Sequence, residues 1–173
     1  MTATAAATTT FTAAADAATT RQERLDHGLE VLGRIDGDAG EAVLSSLSDV
    51  SPELAHQIAA WGFGEIYARP ELAPRDRQLV TLGMLTALGG CEPQLRVHVN
   101  AALNVGLSPQ EIVEALLHSA VYCGFPRALN ATFAAKQVFA ERGLLPVTPA
   151  TPATATGPAA ATALPATATA TAA

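Results

Sequence analysis

The sequence is poor in cysteine, with two in 173 residues, Cys91 and Cys123. That is too few for a disulfide framework and suits reduced thiols in the cytoplasm. No basic cluster occurs, and the formal net charge is −6. Nucleic acid is thereby excluded as a default partner, because phosphate binding needs grouped lysine and arginine. Every apolar stretch is broken by glycine, proline or charge, so none spans a membrane. The N-terminus lacks the basic region and leucine-type run of a secretory signal. No segment alternates with period two over a strand-like length, which argues against sheet. Gly-rich phosphate loops, a G-x-S-x-G elbow, a CxxC pair and H-x₃-H or HExxH spacings are all missing. Nucleotide, serine-hydrolase, dithiol and metal chemistry therefore have no sequence support.

Helical segments are what remains. Residues 1–20 are nearly all Ala and Thr, and residues 146–173 repeat Pro, Ala and Thr without a charge. Side chains this small offer little apolar area against the entropy of ordering, so both stretches read as disordered tails. Residues 21–145 read as one all-α domain of six or seven short helices. The first, RQERLDHGLEVLGRI, places Leu25, Leu29 and Leu32 on one face. Asp38 with Glu41 resembles a capping box opening a second. Ser51-Pro52-Glu53 starts a third, ELAHQIAAWGFGEIYA, which stops before Pro70. Pro74 opens a helix that is apolar nearly all round and ends at Gly89-Gly90, so it is either central or packed on another subunit. Glu92-Pro93 begins the next. Ser108-Pro109-Gln110-Glu111 is a capping box for another, and Pro126 starts the last.

Titratable groups on apolar helices are costly unless paired, hydrated or used. His98 has Leu95, Ala101 and Ala102 three or four positions away, so it is either a core histidine bonded to a carbonyl or a working group. His118 lies between Glu114 and Tyr122 at four-residue spacing, one polar stripe on an apolar helix. A carboxylate there would raise its pKa and fix its tautomer; a solvated helix edge is the plainer alternative. Arg77 keeps its charge and needs an anion, whether Glu65, Asp76 or a substrate carboxylate, unless it is simply a surface residue. Glu65 and Arg69 are spaced as a surface ion pair. Trp61, the only tryptophan, reads as a core anchor.

The blocks RLDHGLEVLGRIDG, FGEIYARPELAPRDRQLVTLGMLTALGG and EPQLRVHVNAALNVGLSPQEIVEALLHSAVYCGFPRALNATFAAKQVFAERG together resemble the 4-carboxymuconolactone decarboxylases. The likeness spans Arg21 to Gly143 and neither tail. It implies an alkyl hydroperoxidase D-like all-α fold, a homo-oligomer, commonly a hexamer, and no cofactor. The implied reaction converts 4-carboxymuconolactone to 3-oxoadipate enol-lactone and CO₂ in protocatechuate catabolism. The substrate, a small dicarboxylate lactone, is its own electron sink. The implied catalytic residues are Arg77 as anion clamp, His98 and His118 as oxyanion and proton donors in unassigned order, and Glu65 as orienting or relay group. Tyr122 and Trp61 join Arg77 as substrate-binding candidates.

Thiol reductases of the same superfamily carry a CxxC with a nearby histidine and an upstream glutamate. Cys91 and His98 fill two of those places. Gln94 stands where the second cysteine would be, and Leu79 where the glutamate would be, so no resolving thiol is adjacent. A thiol-dependent antioxidant protein, a decarboxylase or lactone-processing enzyme of different substrate, and a non-catalytic helical scaffold remain the competing readings.

Overall fold

The computed structural model describes residues 19–148 and is all-helical, with no strand among them. The two tail readings fall mainly on residues 1–18 and 149–173, which lie outside the described part. In chain order the elements are α1 (Arg21–Ile35), α2 (Asp38–Ser46), α3 (Pro52–Gln57), α4 (Pro74–Leu88), α5 (Glu92–Asn104), α6 (Pro109–Cys123) and α7 (Phe125–Glu141). A π-helical segment, Ile58–Tyr67, continues α3. No described helix is long and apolar enough to cross a membrane.

Several starts follow from local chemistry. Ser108 accepts from the Glu111 backbone N–H while the Glu111 carboxylate accepts from the Ser108 N–H, closing the expected box. Thr20 and Glu23 form a second box at the head of α1, so Thr20, read from composition as tail, is its cap. Two expected caps differ. Gly37 rather than Asp38 caps α2, at a φ of 57° that glycine tolerates, and Asp38 is the first helical residue. Ser51 precedes Pro52 but makes no side-chain cap bond.

The inward face of α1 is Gly28, Val31, Leu32 and Ile35, and Leu29 is exposed. Backbone approach selects that face. A Cβ on Gly28 would lie 2.1 Å from the Ala59 carbonyl oxygen, and one on Gly64 would lie 3.2 Å from the Gly28 Cα. Here α1 crosses the π-helical segment with almost no side chain between them.

Two apolar clusters result. Val31, Leu32, Ile35, Phe63, Ala68 and Ala101 form one. Leu82, Leu95, Val99, Ile112, Leu116, Val138 and Phe139 lead the other. Adjacent alanines of α5, Ala101 and Ala102, belong to different clusters, so α5 is the wall between them. His98 lies one turn earlier on that helix.

The apolar circumference of α4 is only partly covered. Val80, Met84 and Leu88 remain exposed at four-residue spacing, as do Leu117 and Val121 on α6 and Phe125, Leu129 and Phe133 on α7. These three helices pack on one another.

Candidate active site

Two side-chain contacts tie α4 to its neighbours: Gln78 to His98 on α5, and Thr81 to Tyr67 at the end of the π-helical segment. Gln78 is fully buried. Its Oε1 lies 3.1 Å from Nδ1 of His98, and its Nε2 has no partner among the described residues. His98 is half-buried. Burial lowers its pKa from 6.5 to about 4, so the ring is neutral at pH 7. A neutral imidazole carries its proton on one nitrogen and a lone pair on the other, and the contact with Gln78 falls on Nδ1.

Tyr67 ends the π-helical segment and stacks on Phe63, with ring centroids 4.8 Å apart. Its hydroxyl is 3.1 Å from the Thr81 hydroxyl. Burial, the largest influence, raises the phenol pKa. The Thr81 hydrogen bond opposes that rise, the Asp36 charge adds to it and the Arg77 charge again opposes it. Tyr67 is thus a protonated phenol that feels the Arg77 charge.

Arg77 is half-buried one turn before Thr81 on α4. Its Nε donates to the Leu72 carbonyl at 3.0 Å, and its Nη2 to the Arg69 carbonyl at 3.2 Å. The guanidinium therefore latches the loop before α4, with Nη1 making no hydrogen bond among the described residues. Neither Glu65 nor Asp76 is its partner; Asp76 faces Arg75 at 3.8 Å.

Of the residues singled out from sequence, Arg77 lies on α4 and His98 is joined to α4 through Gln78, and four lie apart. Glu65 is exposed and forms no ion pair with Arg69, which pairs with Glu71 at 3.4 Å. The wider π turn spoils the four-residue register, and Arg69 lies beyond the helix end. Trp61 is 57 % exposed, not a core anchor, because Ala59, Ala60, Phe63 and Gly64 make the buried side of that segment. His118 and Tyr122 are exposed and meet edge-on, with centroids 5.3 Å apart. Glu114 is exposed and makes no hydrogen bond to His118 among the described residues. The polar stripe of α6 is real but faces away from the protein's own core.

Gln78, Tyr67 and Thr81 were missed. Their signal was an uncharged polar residue on a helix otherwise apolar all round, and a tyrosine closing a glycine-interrupted helix. A separate cleft of about 560 Å³ is lined in part by Arg96, Asn100 and Gln137. Its arginine is already held by Gln137 and Glu141, and the unpartnered Gln78 nitrogen lies elsewhere. No group of three or more His, Cys, Asp or Glu able to hold a metal occurs among the described residues.

The sequence profile of the Carboxymuconolactone decarboxylase family matches residues 52–137. A 4-carboxymuconolactone decarboxylase from Acinetobacter baylyi is 34% identical over 126 residues, covering 72% of this chain and 93% of that protein. The chain belongs to the carboxymuconolactone decarboxylase family. A nitrosuccinic acid decarboxylase from Metarhizium robertsii is 35% identical over 109 residues, 61% of this chain and 74% of that one. An uncharacterized 15.0 kDa protein of Paracoccus denitrificans is 28% identical over 121 residues, covering 69% and 90%. The matched span of the family contains Tyr67, Arg77, Gln78, Thr81 and His98. It also contains both thiols, which are free. Cys91 donates to the Gly89 carbonyl at 3.5 Å, and Cys123 to that of Ser119 at 3.1 Å.

Proposed function

We propose that the chain is a cytoplasmic, cofactor-independent decarboxylase that converts 4-carboxymuconolactone to 3-oxoadipate enol-lactone and CO₂. The observation that carries this reading is the 34% identity over nearly the full length of a relative bearing that name. The phenol of Tyr67 and the neutral imidazole of His98, each joined to α4, the helix that carries Arg77, support it.

In this reading Arg77 binds a substrate carboxylate through the free edge of its guanidinium while the carbonyls of Arg69 and Leu72 hold the other edge. The C–C bond to the departing carboxylate breaks and CO₂ leaves. The electron pair passes into the lactone π system and onto its carbonyl oxygen. Tyr67, held protonated, donates to that developing oxyanion. The proton that must then reach carbon comes by way of His98. The free ring is neutral, but a dianion bound beside it supplies an opposite charge and raises its pKa. His98 takes a proton from solvent in the complex and returns to neutral on passing it to carbon. Substrate dianion plus one proton gives product monoanion plus CO₂, so the charges balance without an added redox or electron-sink group.

The exposed rows on α4, α6 and α7 are the proposed self-association surface. His118 and Tyr122, on α6, would then act at or across a subunit boundary rather than within one protomer. Glu65 is left out of the proposed catalytic set and Trp61 out of the proposed substrate-binding set.

Purified protein incubated with 4-carboxymuconolactone should release one CO₂ per lactone consumed. His98→Ala should lose at least about 100-fold in kcat with the fold retained, the range typical of positioned acid–base groups. Turnover of the variant near the wild-type rate would remove His98 from the mechanism. The Metarhizium relative favours a second reading, a small dicarboxylate other than the lactone. Nitrosuccinate assayed alongside decides between the two.

A further inference from the structure

We propose that Gln78 is a positioning residue whose side-chain oxygen takes the Nδ1 proton of His98, leaving Nε2 as the free, lone-pair nitrogen turned to the reacting substrate. The contact is side chain to side chain between α4 and α5, at 3.1 Å. Gln78 has no solvent exposure, so water does not compete for its side-chain oxygen. Packed neighbours on both helices hold the pair: Leu82, one turn on from Gln78, and Leu95 and Val99, flanking His98, are fully or nearly fully buried.

The position is costly as pure structure. The Gln78 Nε2 donor is buried without a partner among the described residues, and a buried donor left unpaired is destabilising. Leucine has similar volume, lacks the unpaired donor and suits an apolar helix. Retaining an amide here is explained if its oxygen has a task the aliphatic residue lacks. A neutral acceptor differs from the carboxylate that commonly orients a catalytic histidine. Glutamate would fix the same tautomer but also hold the ring protonated through its charge. Glutamine fixes the tautomer and leaves the ring neutral until another anion arrives. The significance for catalysis rests on the decarboxylase reading above, where that anion is the substrate; the tautomer itself does not.

The test uses full-length protein with ¹⁵N,¹³C-histidine, resonances assigned by comparison with His98→Ala. In the wild type at pH 7, His98 should show a protonated Nδ1 and a pyridine-type Nε2. Gln78→Leu should abolish that preference, with the Nε2–H form rising to at least half. Gln78→Glu, the isosteric variant that also guards against misfolding of the leucine form, should raise the His98 titration midpoint by more than one pH unit. Its kcat/KM pH profile should shift by the same amount, and Gln78→Leu should lower kcat at least tenfold with KM within twofold. A wild-type Nε2–H tautomer, an unchanged tautomer in Gln78→Leu, or an unmoved midpoint in Gln78→Glu each overturns the proposal. Absence of lactone turnover by the wild type would instead overturn the substrate reading, and the tautomer spectra would still decide the role of Gln78.

Discussion

The Tyr67 hydroxyl lies 3.1 Å from that of Thr81, and this contact ties the end of the π-helical segment to the middle of α4. The π widening has a local use here. It carries the chain past the Gly28–Gly64 crossing and ends with Tyr67 above α4, beside the guanidinium that latches the loop. Tyr67→Phe keeps the stacking on Phe63 and removes only the hydroxyl. Its stability cost should be about 1 kcal/mol or less, the worth of one partly buried hydrogen bond. If Tyr67 donates to the oxyanion, kcat should fall about tenfold or more, because a transition-state donor is worth more than its ground-state counterpart. Steady-state kinetics with a urea titration separate the two effects. Unchanged kcat would reduce Tyr67 to packing.

Arg77 has two duties on one planar group: Nε and Nη2 hold the carbonyls of Leu72 and Arg69, and the remaining edge is assigned to substrate. Lysine has one ammonium and no fork, so it reaches either the loop or the ligand. Arg77→Lys should raise KM and lower kcat/KM by about 10–100-fold, equivalent to about 1.4–2.7 kcal/mol. Salt should not rescue it. A variant within twofold of wild type in kcat/KM would show that Arg77 serves the loop alone.

Sequence reasoning went furthest where a residue's meaning is local. The Ser108 box and the prolines that open α4, α5, α6 and α7 mark their starts because capping depends on three or four neighbouring residues. His98 was legible because an imidazole on an apolar face is itself an anomaly. The rest depended on facts that spacing does not contain. Four-residue periodicity shows that Glu114, His118 and Tyr122 share a face of α6, but not that the face looks outward. Glu65–Arg69 assumed an α register that the π-helical segment breaks. Gln78 gave little warning, since glutamine is a good helix former and is usually read as a surface residue. Only the approach of α5 turns it into the partner of His98.

The α1 crossing makes a clean stability prediction. A methyl at Gly28 would meet the Ala59 carbonyl oxygen at 2.1 Å and the Ala60 Cα at 2.9 Å. Both are backbone atoms that cannot rotate away. Gly28→Ala should therefore force α1 off the π-helical segment and cost at least about 3 kcal/mol. Gly33 lies on the same helix, where a methyl would find nothing within 4 Å. Gly33→Ala should stabilise the protein by up to about 1 kcal/mol through helix propensity alone. Opposite signs from one substitution in one helix, read by chemical denaturation, would establish the crossing. Equal effects would refute it.

Asp36 sets a pH dependence of opposite sign to that of His98. It caps the C-terminal end of α1, where the helix dipole disfavours negative charge. It is 4 % exposed, and its Oδ1 has no partner among the described residues. Burial raises its pKa from 3.8 to about 7. Between these values the folded protein binds a proton that the unfolded chain has lost, so stability falls as pH rises from about 4 to about 7. The span of three units corresponds to about 4 kcal/mol at most. His98, lowered from 6.5 to about 4, acts the other way, because the unfolded chain holds the extra proton in that range. The wild-type profile sums both, and the difference from a single variant isolates one. Asp36→Asn keeps the shape and carries no charge at any pH. It should match wild type near pH 4 and be more stable by a few kcal/mol at pH 8, with the gap opening between. Urea unfolding at pH 4, 6 and 8 measures that difference directly. A gap independent of pH would mean that Asp36 is ionised throughout and finds its counter-charge in the folded protein.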